Sequence, residues 1–283
     1  MPHSIAGNCT FDGSGTVDCG NATITVGGNF DNSGQTTWIK GTSTYILTGT
    51  TKTLKQANST GSAFYAVTIS GTYDIDTAIT IHVGGGLCNI SGTLTDSANS
   101  TLRTLTGTDL TISGTLSLYR VFLDSSGKTL TIYNTASVTV ASRIQIDRGM
   151  NIVAFGGEAI INGEFITSPR VMTLDFDGDL DVTGNFTQKA GVTITGSDVI
   201  TVGGNFLIEG VSGTVCIFNG PDLDVAGTAV AHYTTATNSN ASAGTKVTAT
   251  DNCTDGTGNT NWDFGGVATI LPIIMNYNQK MRS

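Results

Sequence analysis

The chain has 283 residues, of which only 12% are charged, and its net charge is −9. Its 37 glycines and its abundant Thr, Ser and Asn are typical of short strands joined by polar turns, so the composition excludes a mainly helical protein. The excess of acidic residues argues against binding to nucleic acid or to an anionic membrane surface, because both require clustered Lys and Arg.

The first part of the chain, residues 1–19, is predicted to form a cap or the first coil. Its opening, MPHSIAGNCTFDG, has neither a basic segment nor an apolar one, so we expect no signal peptide on this chain unless a leader has been removed. A disulfide between Cys9 and Cys19 is one option, but buried free thiols are favoured for the five cysteines. The five are Cys9, Cys19, Cys88, Cys216 and Cys253.

Residues 20–230 contain a repeat, and its clearest sign is the heptapeptide ITVGGNF, which occurs at Ile24–Phe30 and again at Ile200–Phe206. In general form, apolar residues stand at the first, third and seventh positions and Gly at the fifth. This fifth position, which we call the marker, recurs every 20 to 23 residues, with one longer interval of 29 between Asn134 and Gly163. The ten markers are Gly28, Gly49, Gly71, Gly92, Gly114, Asn134, Gly163, Gly184, Gly204 and Gly227.

The alternation inside each unit predicts a strand with one buried face. A unit this short cannot cover its own apolar face, so neighbouring units must stack. A period of about 21–22 residues without helical segments therefore predicts an all-β fold, a single parallel β-solenoid of about 11–12 coils. The crossover rule for parallel strands favours a right-handed winding.

Three expectations follow from the marker. Gly and Asn readily adopt a positive φ, so a bend or bulge is expected at each marker. The two heptapeptides, eight coils apart, are expected to lie directly in line on one face. The interval of 29 residues is expected to be an insertion, a bulged coil or a change in coil size.

Two segments within the repeat share the pattern Arg-apolar-x-apolar-Asp, namely Arg120–Asp124 and Arg143–Asp147. Their spacing of about one coil predicts Arg stacked over Arg and Asp over Asp. A carboxylate and basic cluster of this kind could process or bind a saccharide. The alternative, which we favour, is a surface ladder of weak ion pairs without catalytic residues.

The segment DFDGDLD places Asp175, Asp177, Asp179 and Asp181 two residues apart, so we expect all four on one side of a strand. Oxygen-only ligands suit calcium, and calcium is the only cofactor that the sequence suggests. A solvated acidic face is the favoured alternative. For the three histidines, His3, His82 and His232, structural or incidental roles are expected.

The C-terminal part is predicted to change character in two steps. Residues 231–264 are expected to form a loop, HYTTATNSNASAGT, followed by a closing coil or cap. Residues 265–283 contain an apolar stretch that is far shorter than the ~20 residues needed to span a bilayer. We expect them to form an extended peg that docks on this subunit or a neighbouring one.

Two stretches, Ser62–Thr95 and Cys253–Phe264, resemble β-solenoid repeat proteins of phage particles and of bacterial cell surfaces. The resemblance covers roughly residues 20–264 and rests on recurring units like "LTISG" and "VGGNF" and on a closing Asn-Thr-x-Trp segment, which are packing motifs. It implies exposed and mostly non-enzymatic proteins of the fibre, decoration or adhesin type.

The expected function is therefore that of a non-enzymatic structural or attachment protein on the exterior of a virion. Its expected partners are copies of itself, for example in a trimer, together with other virion or surface proteins and glycans. Neither nucleic acid nor a membrane span is expected. Two alternatives stay open: an exported bacterial adhesin or surface-layer protein, and a β-helix enzyme that binds or degrades polysaccharide.

Overall fold

The computed structural model describes residues 2–13, 15–35, 37–57, 60–155 and 159–265 of the chain. These residues wind into a parallel β-solenoid of about 12 turns with about 21 residues in each turn, which confirms the predicted fold class. A short 3₁₀ helix, Thr60–Ser62, interrupts the strands of the third coil. The right-handed sense of the winding stays a prediction.

Each coil contributes to three faces, which we number in the order in which the chain meets them. The strands of the first face form one parallel sheet: His3–Ile5, Thr23–Val26, Thr44–Leu47, Ala66–Ile69, Leu87–Ile90, Asp109–Ile112, Lys128–Tyr133, Met150–Phe155, Met172–Asp177, Val192–Gly196, Cys216–Asn219, Thr234–Thr237 and Thr254–Asp255.

The other two faces share three long strands that pass from the second face to the third: Thr115–Leu123, Ser137–Ile146 and Ala159–Thr167. The remaining strands of the second face are Cys9–Thr10, Phe30–Asp31, Lys52–Lys55, Thr72–Ile75, Thr93–Asp96, Leu180–Val182, Val199–Val202 and Asp222–Val225. Those of the third face are Thr16–Asp18, Thr37–Ile39, Thr80–Gly84, Thr101–Leu105, Phe186–Lys189, Phe206–Glu209, Ala229–His232, Val247–Asp251 and Trp262–Asp263.

The inward residues of the three faces join into one core that runs the length of the solenoid. Aromatic side chains close the core near both of its ends. Phe11 packs edge-on against Trp38 with ring centroids 5.2 Å apart, and Trp262 stacks on Phe264 at 5.9 Å. These rings shield the aliphatic core from water at the two ends of the described solenoid.

The marker glycines let the backbones of successive coils approach closely. A Cβ on Gly71, Gly92 or Gly114 would lie only 2.0–2.1 Å from the carbonyl oxygen of the marker one coil earlier. The expected positive φ is wrong for eight of the nine marker glycines, since only Gly163 has one, at +150°. The marker is therefore Gly because a side chain would separate the stacked coils.

The asparagine of the heptapeptide also links neighbouring coils. The Oδ1 atom of Asn29 accepts the backbone N–H of Thr53 at 3.0 Å, and the Oδ1 atom of Asn205 accepts that of Thr228 at 3.0 Å. The Val and Phe residues of both copies are buried in the core. The identity of the two heptapeptides thus reflects the packing requirements of Val, Gly, Asn and Phe in one type of tight turn.

The two heptapeptides do not lie on one face, so that expectation is wrong. The first begins in Thr23–Val26 on the first face, and its Phe30 lies on the second. The second begins in Val199–Val202 on the second face, and its Phe206 lies on the third. The same type of tight turn is therefore used at two different places on the coil. The first copy turns between the first and second faces, and the second copy turns between the second and third faces.

The interval of 29 residues marks this change of corner. Ile132 on the first face pairs with Ala154, whereas Ile161 pairs with Val138 and Val182 on the second face. From Asn134 to Gly163 the marker therefore moves by one full coil and also by one face. This additional face lengthens the interval, and the expected insertion does not. Near this point Ile112 pairs with Ile132 and Thr115 pairs with Ser137. The corner after Tyr133 is therefore two residues longer than the corresponding corner of the preceding coil.

The solenoid continues to the end of the described chain. Residues 232–245, which were expected to be a loop, contain the first-face strand Thr234–Thr237. The strand Trp262–Asp263 then pairs with Val247–Asp251 in the closing coil. The predicted peg falls on residues 266–283, which lie outside the described residues.

All five cysteines carry free thiols, and four of them are buried. Cys9 and Cys19 therefore do not form a disulfide, and the favoured prediction of buried free thiols is confirmed for four of the five cysteines. The Sγ atom of Cys19 instead lies 3.2 Å from the hydroxyl oxygen of Tyr45. Burial raises the pKa of each of these thiols, so they stay protonated at neutral pH.

We predict that Gly92→Ala destabilises the fold by about 1–3 kcal/mol, because its new Cβ meets the carbonyl oxygen of Gly71. Urea unfolding followed by circular dichroism measures the change. Gly7→Ala is the matched control, since Gly7 stands in the same column at the open end and has nothing within 4 Å of its Cβ position. Equal losses in the two variants would contradict the stacking explanation.

Candidate functional site

The outward side of the third face carries the predicted Arg and Asp residues. Arg120 pairs in register with Arg143, which confirms the stacking of Arg over Arg. The pairing of Leu123 with Ile146 continues this register and brings Asp124 beside Asp147 in the next coil. The sequence pattern therefore located a real ladder, formed where the long strands cross onto the third face.

Asp124 lies between two arginines from different coils. Its Oδ2 atom is 2.9 Å from Nη2 of Arg103, and its Oδ1 atom is 2.8 Å from Nε of Arg148. Burial alone would raise the pKa of Asp124, but the hydrogen bonds from Arg148 and Arg103 outweigh it and the pKa is lowered. This carboxylate is therefore held in its charged form.

Asp147 is buried and has a different cationic partner. Its Oδ2 atom lies 3.3 Å from Nη2 of Arg170, which belongs to the next coil. Asp147 and Arg170 line a depression of about 700 Å³ at the corner that leads from the third face to the first. Each predicted carboxylate thus already has an arginine as its ion-pair partner.

Arg120 lines another, smaller depression, of about 390 Å³, on the third face itself. The structure therefore brings the four predicted residues onto one face but places Arg120 and Asp147 in different depressions. The residues around the smaller one are Thr60, Thr80, His82, Thr101, Arg103, Arg120 and Phe122. We call it the basic depression.

The basic depression is ordered by contacts between cations and an aromatic ring. The guanidinium carbons of Arg103 and Arg120 lie 4.8 and 5.2 Å from the ring centroid of Phe122. Nη2 of Arg120 also donates a hydrogen bond to Oε1 of Gln145. These contacts hold two guanidinium groups in fixed positions on adjacent coils.

His82 forms the end of the basic depression and is 5% exposed. Burial, followed by the charge of Arg103, lowers the pKa of His82 to about 4, so the ring is neutral at pH 7. Sequence reasoning missed both His82 and Arg103 as site residues. His82 and Arg103 are direct register partners in neighbouring coils, and this column becomes visible only once the register of the third face is known.

The acidic segment Asp175–Asp181 does not form one strand. Asp175 and Asp177 lie in the first-face strand Met172–Asp177, while Asp181 lies in the second-face strand Leu180–Val182. Gly178 turns the corner between them with a φ of +104°. The expectation of four carboxylates on one side of a strand is wrong, because this corner separates them.

Two of these carboxylates link neighbouring coils. The Oδ1 atom of Asp175 accepts a hydrogen bond from Oγ1 of Thr195 at 2.7 Å, and that of Asp179 accepts the backbone N–H of Val199 at 2.9 Å. In the part of the chain that the structure describes, no group of three or more His, Cys, Asp or Glu residues is placed to hold a metal ion.

A further ladder of acidic and basic side chains lies on the third face towards the C-terminal end. Lys189 forms an ion pair with Glu209, and Nδ1 of His232 lies 3.2 Å from Oδ2 of Asp251. Glu209 in turn pairs in register with His232. Basic and acidic side chains therefore alternate along the column, which is the arrangement expected to favour coil stacking.

No known family model, curated protein or solved structure matches this chain. Among the described residues, no helix is both long and apolar enough to cross a membrane.

We predict that Asp124→Asn lowers the free energy of unfolding at pH 7 by about 1–2 kcal/mol, between the values of exposed and buried ion pairs. Since its pKa is lowered in the folded state, Asp124 stabilises the fold above its ordinary pKa of about 3.9. The stabilisation is lost as the pH falls through the lowered value. Urea unfolding of the unsubstituted chain and of Asp124→Asn between pH 7 and pH 3 measures how far their free energies of unfolding converge.

Asp109→Asn is the control for this prediction, because Asp109 forms a single, more exposed ion pair with Lys128 at 3.3 Å. We expect its effect to stay below about 1 kcal/mol. A loss in Asp124→Asn that persists unchanged at pH 3 would show that the ion pairs are not its cause.

Proposed function

We propose that this protein is a non-enzymatic structural and attachment element on the exterior of a virion. The observation that carries the proposal is the pairing of both candidate carboxylates with arginines. Hydrolysis of a glycosidic bond by two carboxyl groups needs one of them to be protonated as the general acid. Asp124 is instead held as a carboxylate between Arg103 and Arg148.

The architecture supports a mechanical role. About 12 coils stacked about 4.8 Å apart give a stack of roughly 60 Å. Parallel pairing joins neighbouring coils on every face, and one apolar core runs through them. Such a stack can hold a binding surface at a fixed distance from the point where the protein is anchored.

The position on a particle is supported by the resemblance of Ser62–Thr95 and Cys253–Phe264 to β-solenoid proteins of phage and bacterial surfaces. An exported bacterial adhesin has the same physical requirements and is the alternative. It would present the same third face from a cell envelope in place of a virion.

The ends of the stack support assembly with other chains. His3–Ile5 pairs only with Thr23–Val26, and Thr254–Asp255 pairs only with Thr234–Thr237 among the described strands. Within the described part of the chain each therefore has one unpaired edge, and natural proteins cover such edges. We propose a homo-oligomer, for example a trimer, in which partner chains or neighbouring particle proteins cover these ends.

Electron microscopy with antibodies raised against the purified chain tests the proposed location. We expect the antibodies to label intact virions before any disruption, at a constant site on each particle. Labelling confined to whole bacterial cells would support the adhesin alternative, and labelling only after disruption would contradict an exterior position.

An assay for new reducing ends tests the absence of catalysis on acidic and neutral polysaccharides. We expect none to accumulate with the purified chain. Accumulation that Asp124→Asn or Asp147→Asn abolishes would establish an enzyme and overturn the proposal.

A further inference from the structure

The positive charge of this acidic chain is concentrated in one place. Five of its six arginines fall between residues 103 and 170. Three of the five, Arg103, Arg120 and Arg143, point outward from the third face in three successive coils. In a chain with a net charge of −9, this is a local reversal of sign.

Arg103 forms an ion pair with Asp124 and Arg143 pairs in register with Glu164, whereas Arg120 hydrogen-bonds to the neutral side chain of Gln145. Asp124 is the ion-pair partner of Arg103, but it is shared with Arg148. Burial and the neighbouring charge of Arg143 both lower the pKa of Arg120, which shows the cost of holding these cations together. A bound anion would relieve this repulsion.

Several side-chain nitrogen atoms in the basic depression are buried and have no hydrogen-bond partner among the described residues. They are the Nε atoms of Arg103 and Arg120 and the Nδ1 atom of His82, and the Nε atom of Arg143, in the next coil beside the depression, is likewise buried and unpaired. Buried polar atoms without a partner are rare in folded proteins and are expensive to maintain. Here they coincide with the excess of positive charge and with an open depression, which is what a binding site for an anion requires.

We propose that the basic depression binds an oxyanion group, carboxylate or sulfate, of an acidic polysaccharide that lies along the axis of the solenoid. Guanidinium groups bind both oxyanions through charge-assisted hydrogen bonds, and carboxylates in a bidentate manner. Because coils repeat about every 4.8 Å, an extended polyanion along the axis meets one arginine in each of three coils.

Single-stranded nucleic acid is a poorer fit to the same surface. Its binding relies on aromatic rings whose faces are free to stack on bases. The ring of Phe122 is occupied by the guanidinium groups of Arg103 and Arg120. The geometry therefore favours an acidic polysaccharide as the ligand. The biological role of this site rests on the proposed attachment function, for which it specifies the class of molecule that is bound.

Isothermal titration calorimetry of the purified chain tests the proposal with four probes: polygalacturonate, dextran sulfate, neutral dextran and an oligodeoxythymidine. We expect binding of one or both acidic polysaccharides, weakened by salt, and no binding of neutral dextran. The two acidic probes distinguish carboxylate from sulfate. Tighter binding of the oligodeoxythymidine than of either polysaccharide would overturn the assignment.

Arg120→Gln should weaken binding of the acidic polysaccharide at least about tenfold, the loss expected for hydrogen bonds to a charged group. Lys128→Gln is the matched control, because it removes the same charge from the first face, where Lys128 pairs with Asp109. We expect less than about a twofold change from the control, as for a screened surface charge. Equal losses in both variants would show diffuse attraction and overturn the site.

Phe122→Leu provides a second variant that leaves the charge unchanged. Removing the ring frees the guanidinium groups of Arg103 and Arg120, so binding should weaken although no cation is lost. Unaltered binding would contradict the proposed role of the fixed geometry. Thermal unfolding of each variant shows whether the fold is intact.

The calorimetry and the reducing-end assay separate this site from the proposed function. Tight binding accompanied by cleavage would support the basic depression but overturn the non-enzymatic proposal. Absence of binding to every acidic probe would overturn the depression as a site, while antibody labelling of virions would still support the exterior role.

Discussion

The close approach of backbones at the marker glycines is the constraint on which the rest of the structure depends. Where a coil turns a tight corner, its glycine lies against the carbonyl oxygen of the coil below, and no side chain fits between them. Because that contact sets the corner, the strands on either side stack in register and bury one continuous core. The asparagine that follows in the heptapeptide adds a side-chain hydrogen bond across the same gap.

The sequence was sufficient to predict the fold class, because the spacing of apolar residues and glycines reports directly on coil length. It was misleading about phase. Gly28 and Gly204 lie in identical heptapeptides, yet they turn different corners, since the tight corner itself moved by one face along the chain. Local letters describe a corner and its packing, but only the pairing of distant strands shows which corner it is.

The same limit explains the outcome for the candidate sites. The Arg120 and Arg143 ladder was predictable, because it depends on a spacing of one coil. The acidic segment was misplaced, because the turn at Gly178 is not visible in a period of two. His82 and Arg103 carried no signal of their own, and they matter only because stacking places His82, Arg103 and Phe122 in one column of three successive coils. On this fold a functional site is formed by a column of outward side chains from successive coils, and the members of such a column lie far apart in the sequence.

Oxidative cross-linking across the change of corner tests this account most directly. In the structure Thr139 pairs with Asn162, and both side chains are exposed, so Thr139→Cys with Asn162→Cys should form a disulfide within one chain. A constant corner would instead place Ile132 over Ile161 and bring Thr131 beside Ile160. We therefore expect no disulfide from Thr131→Cys with Ile160→Cys. Mass spectrometry of tryptic peptides, with the unsubstituted chain as control, identifies the bond, and a disulfide in the second variant but not the first would contradict the change of corner.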